Sequence, residues 1–70
     1  MFTIVKLNKN EKIDGYLYKT HTGRYVFSNS TNMYFSTEEA ALDFIYYYSD
    51  YVKDELSEGD RLYVLPLEKR

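Results

Sequence analysis

Residues Ser36 to Leu56 constrain this chain more than any other stretch, because their apolar side chains recur with the period of an α-helix. At 100° per residue, Ala41, Ile45, Tyr48, Val52 and Leu56 fall on one line, flanked by Phe44 and Tyr51. A stripe of this width is expected to pack on a sheet. Ser36 followed by Glu39 reads as a capping box, and Glu38 and Glu39 suit the positive end of the helix dipole. Gly59, free to adopt positive φ, is the expected stop. The helix is therefore predicted to run for roughly 20 residues, about 30 Å.

The line opposite the apolar stripe carries Glu39, Asp43, Asp50 and Asp54, with Tyr46 and Tyr47 between the two acidic pairs. Each pair places like charges at i,i+4, which disfavours the helix, and within it only Lys53 offers relief. A face that merely meets solvent usually mixes signs, so this one reads as a candidate binding surface. Glu39 and Asp54 lie about 22 Å apart at helical rise, so the row spans several phosphate spacings of a nucleic acid. The bland alternative is a solvated acidic face.

The remaining segments are short and strand-like. Phe2 to Leu7 reads as a first strand and Asn8 to Lys12 as a polar turn. Ile13 to Lys19 follows, with Tyr16 and Tyr18 on one face, Ile13, Gly15 and Leu17 on the other, and Gly15 marking a bulge or a close backbone approach. Thr20 to Gly23 turns the chain back into Arg24 to Ser28, where Tyr25 and Phe27 share a face. Met33 to Phe35 is expected as a brief fourth strand. Leu62 to Leu65 is expected as the last, docked beside the first and ending at Pro66 or lying at a sheet edge. The predicted fold is α+β, one domain over 1–70: a small antiparallel or mixed sheet of four to five strands, ββββαβ, against one long amphipathic helix.

Composition narrows the function classes. At 70 residues with no cysteine and no cluster of metal-ligand spacing, the core depends on aromatic burial, and nine Tyr and four Phe are available for it. Neither cofactor nor metal is expected. His21 is the only histidine, it falls in a turn, and no nucleophile or carboxylate stands at a recognisable spacing from it, so no catalytic set assembles. The stretch 54–60 is acidic but lacks the spacing of a calcium loop. No apolar run is long enough to span a bilayer and no leader precedes the first strand, so a cytoplasmic protein is expected. The tyrosine excess also leaves room for a homodimer interface.

Charge is uneven along the chain. Residues 1–35 carry five Lys or Arg against two acids, a net +3, whereas residues 36–70 carry nine acids against four bases, a net −5. The basic half holds the second candidate surface: the hairpin from Tyr16 to Phe27, where Tyr16, Tyr18 and Tyr25 could stack on unpaired bases while Lys19 and Arg24 hold phosphates. Three strands running into Phe35-Ser36-Thr37-Glu38-Glu39-Ala40 resemble, over about half the chain, the three-stranded DNA-binding domains at the front of phage-type integrases. That resemblance implies a nucleic-acid binder. Those domains are basic, however, and this chain has a pI near 5.2.

The small size and the richness in Tyr, Asn and Lys resemble accessory proteins of phages and mobile elements from low-GC hosts. That likeness implies an inhibitor of host replication, transcription or nuclease machinery. The preferred expectation is thus a non-enzymatic protein whose acidic helix face, Glu39, Asp43, Tyr46, Tyr47, Asp50 and Asp54, mimics DNA toward a host protein with a basic DNA-binding surface. A nucleic-acid-binding module and a structural or assembly protein are the alternatives.

Overall fold

A computed structural model describes residues 1–67. Four strands, β1 (Phe2–Leu7), β2 (Ile13–Lys19), β3 (Tyr25–Ser28) and β4 (Arg61–Pro66), form one antiparallel sheet in the order β3-β2-β1-β4. Helix α1 (Glu38–Val52) and a 3₁₀ turn (Lys53–Glu55) cover one face, which makes the fold α+β. As expected, the last strand docks beside the first, with Val5 opposite Tyr63 and Phe2 opposite Pro66. Pro66 is tolerated because β4 is an edge strand.

The predicted fourth strand does not form. Met33 to Phe35 instead enters the sheet as a wedge: Met33 N–H donates to Leu17 C=O at 2.8 Å, and Phe35 exchanges both backbone bonds with Phe2 at 2.8 and 2.9 Å. β1 and β2 pair only from Val5 onward, at Tyr16 and Ile13, so the wedge fills the gap where they diverge. Three residues are too few to form a ladder, yet they satisfy backbone groups that the divergence leaves open.

Gly15 explains why β1 and β2 slip in register between Val5 and Leu7. It has φ +133, and a Cβ there would stand 2.7 Å from Phe27 Cβ. The extra residue moves Ile13 off the face expected for it: Ile13 now pairs with Leu7 and shares the side of Tyr16. Under the helix lie Ile4, Leu17, Ala41, Phe44 and Val52, joined by Tyr25, Phe27, Met33, Phe35, Ile45, Leu62 and Val64. Phe44 is the hub, with Tyr25, Phe35 and Tyr48 rings 4.8 to 5.7 Å away.

The helix ends differ from the sequence expectation at both termini. Thr37, not Ser36, is the N-cap; its Oγ1 accepts from Ala40 N–H at 3.0 Å, and because Ala40 has no side chain to bond back, the expected Ser36–Glu39 box gives way to a single cap bond. At the other end α1 stops at Val52 and the 3₁₀ turn at Glu55, where Leu56 turns extended. Gly59, with φ +90, serves the next turn, in which Asp60 accepts from Ser57 N–H through Oδ2 at 2.8 Å. Lys6 secures this end of the helix by donating from Nζ to Glu55 C=O at 3.2 Å. A cation there also suits the dipole.

Candidate functional site

The outer side of α1 is built by the inner one. Ala41, Phe44 and Val52 are buried, and their spacing turns Glu39, Asp43, Tyr46, Tyr47 and Asp50 outward, every one of them exposed. Tyr46 and Tyr47 keep 78% and 69% of their surface in solvent, and their rings meet edge-to-face at 4.9 Å, which presents one aromatic knob between the acidic pairs. Among the described residues the single ion pair is Arg61 with Glu11 at 3.1 Å, neither of them in α1, so no base of the sheet pairs with the row. Asp50 lies in the last helical turn, which contains no base. A carboxylate at the negative end of a helix dipole opposes the fold.

Asp54 leaves the row. It belongs to the 3₁₀ turn, where 120° per residue replaces 100°, and with Glu55 it lines a cleft of about 270 Å³ against Gly23, Arg24, Tyr25, Tyr48 and Tyr51. Tyr48 and Tyr51 were expected on the buried stripe. They are 40% and 68% exposed instead, bordering that cleft beside the hairpin turn at Gly23. Asp43 in turn borders a shallow hollow with Phe35, Phe44, Tyr47 and Tyr48.

The hairpin candidates do not converge on one surface. Tyr25 packs against Phe44 on the helix side, where Lys19 Nζ lies 5.9 Å from its ring centroid. Tyr16 and Tyr18 alternate onto the opposite face of the sheet. Arg24 sits outside β3, exposed beside the cleft.

Sequence reasoning read only part of that opposite face. Because Met33 and Phe35 join the core, Tyr34 between them points away from α1, 61% exposed. Register places Tyr63 beside Val5 on the same side, 47% exposed. Four tyrosines therefore surround Thr3 and Val5 on a face that no helix covers. The pairing of Tyr16 with Tyr18 on one face was read from alternation in β2, but Tyr63 and Tyr34 were not added to it, since the position of Tyr34 depends on the wedge.

Among the described residues no group of three or more potential ligands could hold a metal ion, and no helix is long and apolar enough to cross a membrane. Compared with protein-family models, curated proteins and solved structures, the chain matches none.

Proposed function

We propose that this is a small, non-enzymatic, cytoplasmic binding protein of phage or mobile-element type. Its task is to dock the outer face of α1 onto the basic DNA-binding surface of a host protein and block it, as an acidic mimic of DNA. The observation that carries this reading is the row Glu39, Asp43 and Asp50, exposed around the Tyr46–Tyr47 knob and unpaired with any described base. Such a row raises the local concentration of a basic partner by long-range attraction, while paired aromatic rings supply the apolar anchor that charge alone lacks. Asp50 strengthens the case, since its place at the helix C-terminus works against stability and calls for another reason to be there.

The variant carrying Asp43→Lys and Asp50→Lys tests this reading in a pull-down from host lysate, with thermal melting alongside. Partner capture is expected to disappear and the melting temperature to stay level or rise, because like-charge pairs and a dipole conflict are removed together. Capture by the native chain should also weaken as salt is raised. Capture that survives both the reversal and high salt would reject the proposal, as would a gel shift showing that the native chain itself binds DNA.

A further inference from the structure

We infer that the helix-free face of the sheet is a dimer interface, whose occupant is the same face of a second copy of this chain. Thr3 and Val5 lie on that face at 0% exposure with no layer above them. Their neighbours on the same face are taller: Tyr16 and Tyr63 flank Val5 in register, Leu65 stands opposite Thr3, and the Phe2–Phe35 bridge sets Tyr34 on its other side. The centre of the face is thus already dry, and its rim is made of phenol rings, the side chains most enriched at protein interfaces.

Charge selects the occupant. Among strand residues, register puts one charged side chain on this face, Arg61 at the end of β4, and Glu11 already pairs with it. The strands therefore offer this face no free charge, neither cations for phosphates nor carboxylates for a basic protein, and the partner that suits the acidic helix is the wrong one. An uncharged, tyrosine-rimmed face suits another of its kind, and a two-fold axis supplies one without any further protein. Area sets the strength. Four strands about 4.8 Å apart and about six residues long make a face of roughly 400 Å². Two copies cover roughly 800 Å² of flat area, and more once ring relief is counted, which falls in the range of weak, transient interfaces below about 1,200 Å². The dimer is therefore concentration-dependent. Oligomerisation is also one of the ways in which a small domain without cysteines gains stability. Both copies keep α1 on the outside, so this inference does not rest on the helix-face proposal.

Sedimentation of the full chain from micromolar to millimolar concentration should pass from one to two chain masses. Amide shifts of the native protein on dilution should map to Thr3, Val5, Tyr16, Tyr18 and Tyr63. Ile13→Glu or Tyr63→Glu, at positions 44% and 47% exposed, should weaken association about a hundredfold, because symmetry buries each new charge twice. Tyr47→Glu on the helix should leave it unchanged. A chain that stays monomeric at millimolar concentration overturns the inference. So do dilution shifts confined to α1, a reading that needs no variant to fold.

Discussion

The two faces of the sheet bury residues equally well by different means. Beneath α1, Ile4 and Leu17 reach 0% exposure because a second layer lies on them, centred on Phe44. On the other side Thr3 and Val5 reach the same value within a single layer, screened by tyrosines on neighbouring strands. The difference teaches that burial and covering are separate things. The covered face derives its stability from contacts with the helix, whereas the open face hides its centre and leaves its rim wet.

The comparison breaks most sharply at Phe44. Phe44→Ala removes the ring that Tyr25, Phe35 and Tyr48 all touch, and should cost about 3–5 kcal/mol. A small domain has only about 5 kcal/mol to lose, so urea titration followed by circular dichroism should find the variant largely unfolded in buffer. Gly15→Ala attacks the partition itself, since the bulge is what carries Ile13 to the open side. A side chain at φ +133, 2.7 Å from Phe27 Cβ, should cost about 2–3 kcal/mol in the same titration. Thr3→Val sharpens the contrast with the opposite sign. The buried Thr3 hydroxyl finds no hydrogen-bond partner among the described residues, so an isosteric methyl should raise monomer stability by about 1 kcal/mol in dilute solution.

Much of this was legible in the sequence. Alternation located β1, β2 and the strand after the helix, Gly15 announced its bulge, and the acidic row was readable because exposed helical charge depends only on period. What sequence could not place depended on partners distant along the chain. Met33 to Phe35 had the composition of a strand, but whether it pairs or wedges is decided by how β1 and β2 diverge. Ser36 and Thr37 are both competent caps, and the choice between them fell to one residue of register in the helix entry. Tyr48 and Tyr51 count as apolar in any periodicity, while their phenols are equally content at a cleft edge. The tyrosines of the open face were visible one by one. Their assembly was not, because Tyr34 reaches that side only through the wedge.

The pairing of β1 with β4 bears on how the molecule is dismantled. These strands are antiparallel neighbours, and Leu67 N–H donates to Met1 C=O at 2.8 Å, so head and tail of the described chain leave the sheet at the same corner. A tug between them strains one rung at a time, like a zipper, instead of loading the whole ladder in shear. Force applied across this corner therefore meets the weakest geometry of the sheet first, and peeling β4 away withdraws Leu62 and Val64 from beneath the helix in the same stroke.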